Sequence, residues 1–306
     1  MSNVHIVLAT YNAEKYLREQ LNSILKSTYQ SISIEICDDA STDKTIQIAE
    51  EYMSKYPGKI FLHENKVNKG CQLNFLEGIK RSKSPYIMLC DQDDVWFEDK
   101  IENTLLAMRN IENQKRGKPV LVFSDALVYD EKYKTSSGRF HKKGHYNIEK
   151  CDLNHLLMEN KVIGCTVMVS QNILPYLNSL PKEIRVHDWW LALICSVFGV
   201  IEYVDKETLL YRQHCDNIIG SMSFVNYVKH RIAKLKEQKT ALLLTYKQAE
   251  AFYFLFEKQM SEYQKNIVKQ FIGIPTMGFF KKRTNCLRNG YLKSGLIRNI
   301  ALMLIL

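Results

Sequence analysis

The sequence predicts an α/β protein: a mainly parallel sheet flanked by helices, followed by a helical, basic C-terminal extension. Three observations predict it. Across residues 1–130, short apolar runs of strand character alternate with amphipathic helical stripes, the pattern of a parallel sheet covered on both faces. Polar clusters follow the ends of the strand-like runs. Beyond Gly220 the text changes to long helical patterns rich in Lys and Arg.

The elements follow in order. "VHIVLA" (4–9) is a β-rich run, and Leu17, Leu21, Ile24 and Leu25 fall at i, i+4, i+7 and i+8, one stripe of a helix. "SISIEIC" (31–37) alternates as a strand, Ser41 and Thr42 are placed to cap a helix running to Ser54, and "KIFLHE" (59–64) is the third strand. A helix over 72–81, the strand "YIMLC" (86–90), a helix over 98–114 and the strand "PVLVFSDALVY" (119–129) complete the alternation. Residues 130–147, polar and holding Gly138 and Gly144, read as a mobile loop. "VIGCTVMVS" (162–170) reads as a buried strand, "HDWWLALICSVFG" (187–199) as a helix and "GVIEYVDKETLLYRQH" (199–214) as a pair of short strands.

Composition sets further bounds. With 46% hydrophobic residues over 306 positions the chain folds, and its net charge of +9 is regional. Residues 222–306 hold 15 Lys+Arg against 4 Asp+Glu, whereas 1–221 hold 27 against 29. The eight cysteines lack CxxC or Cys/His spacing, which favours reduced, mostly buried thiols over a zinc site or a disulfide framework. The opening "MSNVHIVLATYN" enters a strand at once, without the features of a signal peptide, and the longest apolar run, "IALMLIL" (300–306), is far short of the roughly 20 residues that span a bilayer. The expected location is cytoplasmic, free or peripheral on the inner face of the plasma membrane.

The polar clusters fall where an α/β sheet binds ligands, beyond the carboxyl ends of its strands. "TYN" (10–12), "DDAST" (38–42), "NKVNKG" (65–70) and "DQDD" (91–94) each close one strand. In "LCDQDDVW" three carboxylates at the end of a buried strand raise one another's pKa unless a cation lies between them, and Asp-x-Asp suits Mg²⁺ or Mn²⁺ with positions left for phosphate oxygens. The bland reading is an Asp-rich turn capping the next helix. Asp39 and Ser41 likewise read as a turn and cap, or else the Asp39 carboxylate accepts from a pyrimidine N–H while Thr10 and Asn12 frame the same base. The chain has no GxxxxGK[ST] or GxGxxG loop, so a metal is the expected neutraliser of a diphosphate. In "RVHDWW" (185–190) a carboxylate beside indole rings is desolvated toward the range of a general base, against the alternative of a helix cap above core tryptophans. His214, after a strand, reads either as structural or as a late metal ligand.

With these stretches in order, the chain resembles the family 2 glycosyltransferases of the A-type nucleotide-sugar fold. The matching text is "VLATYNAEKYLREQLNSIL", "IEICDDASTDKT", "NKVNKGCQLNFLEGIKRSKSPYIMLCDQDDVW", "HDWWLAL" and "YRQHCDNIIG", covering residues 3–220. The last motif and "DQDDVW" look most like the bacterial rhamnosyltransferase-like branch, which builds capsule or O-antigen chains from dTDP-L-rhamnose; relatives use UDP-hexoses. The resemblance implies that Thr10, Tyr11, Asn12 and Asp39 hold nucleobase and ribose, and that Lys69 and Gly70 flank the nucleotide. Asp91 would contact ribose or metal with Gln92 beside it, and Asp93 would ligate a divalent cation, Mn²⁺ or Mg²⁺. Asp188 matches the acceptor-activating base, with His187, Trp189 and Trp190 on the acceptor side, and His214 matches a histidine that contacts metal or diphosphate. His187 stands where the family often has Glu. The implied organisation is a catalytic domain over 1–221, with a nucleotide-sugar half (1–130) and an acceptor half (131–221), and a helical basic region over 222–306. The implied partners are a nucleoside-diphosphate sugar and a glycan or lipid-linked acceptor.

The tail "FFKKRTNCLRNGYLKSGLIRNIALMLIL" (279–306) interleaves Lys281, Lys282, Arg283, Arg288, Lys293 and Arg298 with apolar residues. It suits either an amphipathic helix on an anionic membrane surface or a helix packed on the catalytic domain. Two rival functions remain: a metal-dependent sugar nucleotidyltransferase, whose Gly-rich basic loop "ATYNAEKY" lacks, and a nucleic-acid-binding protein, for which residues 1–221 supply no phosphate-tracking surface. No nucleic-acid partner is expected.

Overall fold

A computed structural model describes residues 3–132, 134–213 and 235–306. Its contacts divide the chain into two units. The first comprises Met1–Phe140, Val162–Leu180 and Val186–Asn217, and the second His141–Lys161, Pro181–Arg185 and Ile218–Leu306. Two segments numbered within 131–221 thus pack in the helical unit. His214 lies outside the described residues.

The chain runs through β1 (Val4–Thr10), α1 (Leu17–Leu25), β2 (Ile32–Asp38), α2 (Thr45–Lys55), β3 (Ile60–Glu64), α3 (Cys71–Arg81), β4 (Tyr86–Cys90), β5 (Val95–Trp96) and α4 (Lys100–Gln114). It continues through β6 (Val120–Asp130), β7 (Thr135–Arg139), α5 (Phe140–Lys143), α6 (Leu153–Met158), β8 (Met168–Ser170), α7 (His187–Phe198) and β9 (Val200–Gln213). The second unit adds α8 (Leu235–Phe256), α9 (Glu262–Ile272), α10 (Phe279–Asn289) and α11 (Leu296–Ile305).

Among the described residues nine strands form one sheet in the order β3-β2-β1-β4-β8-β6-β9-β5, with β7 on β6. The pairs β1–β2, β1–β4, β2–β3 and β6–β9 are parallel, and β8 joins the two parallel parts by antiparallel pairing with β4 and β6. Alternate strand residues such as Ile6, Ile34 and Met88 pack with Leu17, Leu21, Ile48 and Leu105 of α1, α2 and α4. The opposite face receives α3 and α7, which contact β1, β2, β6 and β9. All five residues of β4 are buried, as its unbroken apolar text requires.

The structure corrects the sequence reading at four places. Ser41 and Thr42 do not cap α2; the Ser41 hydroxyl donates to Asp38 Oδ1 (2.6 Å), and the Thr45 N–H donates to Asp43 Oδ1 (2.9 Å) at the helix start. Residues 135–139 are a strand rather than loop, and residues 200–213 are one strand rather than two. One residue explains both: Arg139 bridges Asp125 (3.1 Å), Asp205 (2.7 Å) and Glu207 (3.0 Å), so the polar "DKE" stretch stays in the sheet at a register shift. In 162–170 only Met168–Ser170 is strand, preceded by a 3₁₀ turn at Gly164–Thr166. Of the eight cysteines, the seven described are free thiols, five of them buried.

In the second unit α8 and α9 pack together, and α6 contacts both. Ser261 and Gln264 form a reciprocal capping box at the start of α9. The expected single tail helix is two, because Gly290 (φ 69°) ends α10 in the left-handed region that favours glycine.

Two residues give tests of this packing. A Cβ on Gly199, between α7 and β9, would lie 1.9 Å from the Pro119 carbonyl oxygen, which is itself fixed by accepting the Val200 N–H (3.0 Å). Gly199→Ala is therefore expected to lower the unfolding free energy by about 3 kcal/mol or more in urea titrations. Lys100 is fully buried, with Nζ 3.2 Å from Thr208 Oγ1 and 4.7 Å from the Trp96 ring centroid, and burial lowers its pKa from 10.5 to about 8. Between those values the unfolded chain binds the extra proton, so stability rises with pH. Unfolding midpoints of the wild type and Lys100→Met, measured from pH 8 to 10.5, should converge as the wild-type ammonium discharges; a constant gap contradicts the assignment.

Candidate functional site

The parallel strands β1, β2 and β3 end together, and the polar residues after them are tied to one another. Thr10 Oγ1 donates to Asp38 Oδ1 (2.8 Å), and Asp38 also accepts from the Ser41 N–H (2.8 Å). Asp39, 2% exposed, accepts from Asn65 Nδ2 (3.0 Å) and from the N–H groups of Lys69 (2.9 Å) and Gly70 (2.8 Å). Asn65 also donates to Asn74 Oδ1 (3.0 Å), and Asn74 Nδ2 donates to the Cys37 carbonyl (2.6 Å). One carboxylate thus fixes the loop that leads into α3. Gly70 begins that helix at φ 86°, where a side chain would be strained.

Beside this frame lies a cavity of about 320 Å³, whose wall includes Thr10, Tyr11, Asp39, Asn68, Cys71, Phe75, Asp91, Gln92, Asp93, Tyr211 and Arg212. Gln92 Oε1 accepts from the Tyr11 N–H (2.7 Å), joining the end of β4 to that of β1. Asn12 and Lys69 are outside the wall. Asn12 Oδ1 accepts from the Thr42 N–H (2.8 Å), and Lys69 Nζ pairs with Glu77 (2.6 Å). Gly70 contributes its N–H to Asp39 rather than a surface to the cavity.

The three acids after β4 have unequal surroundings. Asp91 is raised well above the usual carboxylate range by burial and by Asp94, Asp93 and Asp188. Asp94, 1% exposed, is raised to about 7 by burial and by Asp93, against the lowering effect of the Cys165 thiol and the Arg212 N–H. Its Oδ2 is buried without a conventional hydrogen-bond partner, and ligand atoms of Asp91, Asp94 and Cys165 lie within 4.8 Å of one another. Burial and the two acids push the Cys165 thiol well above its usual value, and Mg²⁺ and Mn²⁺ prefer oxygen, so the atoms suited to such a cation are the carboxylate oxygens. An orphaned buried oxygen beside two raised acids, with a third carboxylate next to them in the chain, fits a divalent ion. Asp94, which reads in the sequence as a turn residue, is the most buried of the three.

Arg212 closes the other side. Its Nε donates to the Asp93 carbonyl (2.8 Å), its Nη2 to Glu19 (2.5 Å), and its N–H to Asp94 Oδ1 (3.3 Å). Its guanidinium lies 4.9 Å from the Tyr16 ring centroid. Burial and the neighbouring Cys165 and acids hold the Tyr211 phenol neutral.

Asp188 sits in the first turn of α7, 6% exposed, and its Oδ1 accepts from the Trp189 N–H (2.6 Å). His187 stacks on Phe75 with ring centroids 4.0 Å apart, and both of its ring nitrogens are buried without hydrogen-bond partners. Burial lowers its pKa to about 3, which keeps it neutral. Gly164 makes room for this pair, since a Cβ there would meet His187 Nε2 at 2.8 Å and Asp188 Oδ2 at 3.4 Å. Trp189 and Trp190, 5% and 0% exposed, are in the core. The Cys71 thiol, pushed up to about 12 by burial and by Asp91, Asp188, Asp39 and Asp93, marks where the acids of β2, β4 and α7 converge.

Sequence reasoning on single motifs missed Asn68, Cys71, Phe75, Tyr211 and Arg212. The last two stand in "YRQH", whose histidine drew the attention, and Asn74 signals itself as a buried amide on an apolar helix face.

Known proteins share this architecture. The model of the glycosyl transferase family 2 matches residues 5–147. The dTDP-rhamnosyl transferase RfbG of Shigella flexneri is 32% identical over 231 residues, 70% of this chain and 74% of that protein. An uncharacterized glycosyltransferase of Rickettsia typhi is 28% identical over 95% of this chain and 82% of its own length. Among solved structures, S. aureus TarS 1–349 in complex with UDP-GlcNAc aligns with a TM-score of 0.59 at 12% identity, over 94% of this chain and 80% of that one. The mannosyltransferase PcManGT of Pyrobaculum calidifontis, in complex with GDP-Man and Mn²⁺, aligns at 0.53 and 14% identity, over 98% of this chain and 78% of its own. The fold is the A-type glycosyltransferase fold, and the chain belongs to family 2 of the glycosyltransferases.

Proposed function

We propose that the chain is an inverting, metal-dependent glycosyltransferase that moves a sugar from a nucleoside-diphosphate sugar, dTDP-L-rhamnose or a UDP-hexose, to a hydroxyl of a growing bacterial surface polysaccharide or lipid-linked oligosaccharide. The observation that carries this reading is that Asp91 and Asp93 line one cavity with Asp39, while Asp94 and Asp188 lie near enough to Asp91 to raise its carboxyl. The similarity to a dTDP-rhamnosyl transferase favours rhamnose as the first donor to test.

In this reading Thr10, Tyr11 and Asp39 frame the nucleoside, while Asn12, Lys69 and Gly70 hold the loops around it. Gln92 keeps the ends of β1 and β4 together. Asp93, with Asp91 and the Asp94 oxygen that lies beside it, would hold a divalent cation, Mn²⁺ or Mg²⁺, which would neutralise the diphosphate when bound. Asp188 takes the proton of the acceptor hydroxyl. That oxygen forms its bond to the anomeric carbon as the bond from the anomeric carbon to the phosphate oxygen breaks, and the nucleoside diphosphate leaves with the electron pair. His187 is a positioning residue beside Asp188, clamped by Phe75 and Gly164. Trp189 and Trp190 support the same helix turn from the core.

Release of nucleoside diphosphate across a panel of nucleotide sugars with Mn²⁺ tests the activity: one donor should be turned over well above the rest, and no release from any donor, with or without candidate acceptors, rejects the reading. Asp188→Asn should lower turnover by about 10²–10⁴-fold with nucleotide-sugar binding intact. Asp93→Ala should weaken metal-dependent binding by roughly tenfold or more in calorimetry. Equal loss of binding in both variants would sink this division of roles.

A further inference from the structure

The basic tail takes no part in the site described above, and its fold sorts its residues into those used inside the second unit and those left outside. From Tyr263 to Leu306 the chain has eight Lys and Arg and no Asp or Glu. Arg298 is committed internally: it pairs with Glu159 (2.9 Å), donates to the Gly144 carbonyl (2.6 Å) and lies over the Tyr146 ring (4.5 Å). Cys286 of α10 and Leu302 and Ile305 of α11 are buried, which fixes the inner side of each helix.

The outer sides are apolar. On α11, Leu296, Ile300 and Leu304 recur at i, i+4 and i+8 and are 76%, 52% and 71% exposed. On α10, Phe280 and Leu287 are 80% and 59% exposed and share one line of the helix at 3.6 residues per turn. By the same geometry Arg283 lies to one side of that line and Lys281 and Arg288 to the other. An apolar line flanked by cations is the pattern of a helix lying in a membrane interface. No described helix is long and apolar enough to cross a bilayer, so contact would be in-plane.

We infer that the outer sides of α10 and α11 dock on an anionic lipid surface through Phe280, Leu287, Leu296, Ile300 and Leu304, with Lys281, Arg283 and Arg288 on lipid headgroups. The charge argues against a second copy as the occupant, because two such surfaces, each without a carboxylate after Glu262, repel. A fluid bilayer accepts separated Phe and Leu side chains without needing a complementary shape.

Flotation of the full chain with phosphatidylcholine vesicles, and with phosphatidylcholine–phosphatidylglycerol vesicles, tests the inference. Binding should require the anionic lipid and fall with salt. Lys281→Gln and Arg288→Gln should each weaken partition by about fivefold. The sets Phe280→Ser/Leu287→Ser and Leu296→Ser/Ile300→Ser/Leu304→Ser should each weaken it by roughly tenfold or more, with unchanged circular dichroism and unchanged nucleoside-diphosphate release in solution. A wild-type chain that floats with neither vesicle, or variants that float as the wild type does, overturns the inference. So does a wild-type dimer, by light scattering, that the serine variants dissociate while no vesicle binding is seen; that outcome assigns the surface to a second copy.

Discussion

The arrangement depends on one electrostatic constraint: β4 delivers three carboxylates into a place where they cannot comfortably coexist. The strand is buried at every position between β1 and β8, so its end is held by the sheet and cannot swing into water. Asp91 is raised by burial and by Asp94 and Asp93, Asp94 by burial and by Asp93, and Asp188 of α7 adds a further negative charge at Asp91. A fold bears such a cost where the missing counter-charge arrives with a ligand. The cost is limited by the protein's own groups. Arg212 binds the backbone of Asp93 and the side chain of Asp94 through different atoms, and fully buried Lys100 supplies a cation that Asp94 and Cys165 sense from behind.

The neighbouring frame works differently. Asp38 and Asp39 are as buried as Asp94, yet their oxygens are filled by hydroxyl, amide and backbone donors. They spend their charge on loop geometry and fix the approach to α3, which carries Cys71, Asn74 and Phe75 into the site. Phe75 in turn stacks on His187, so the helix that borders the cavity also sets the ring next to Asp188. The same residue types, acids at strand ends, thus serve as scaffold on β2 and as a crowded cluster after β4.

The fold was legible because parallel strands buried on both faces write themselves as unbroken apolar runs, and the carboxyl-edge rule then placed "TYN", "DDAST" and "DQDD" together. What stayed hidden was long-range. The polar stretch at 205–207 reads as a break until Arg139, from a segment that reads as loop, supplies its partner. Lys100 reads as a solvated charge at a helix start, yet it lies under Trp96 with no exposure. Tyr211 and Arg212 reach the cavity because β9 continues along β6 beyond the register shift, a pairing that no local pattern encodes. The tail's amphipathic character was readable, but the loss of Arg298 to Glu159 was not, since the partner is 139 residues away.

In the proposed function, the acids at the end of β4 are compensated by a cation arriving with a diphosphate. Calorimetric titration of the wild-type chain with dTDP and UDP, in Mn²⁺ and in chelator, measures this directly. At least one nucleoside diphosphate should bind roughly tenfold or more tightly with the ion present. Equal affinity in chelator would contradict it, and would leave the crowded carboxylates of "LCDQDDVW" without the partner assigned to them.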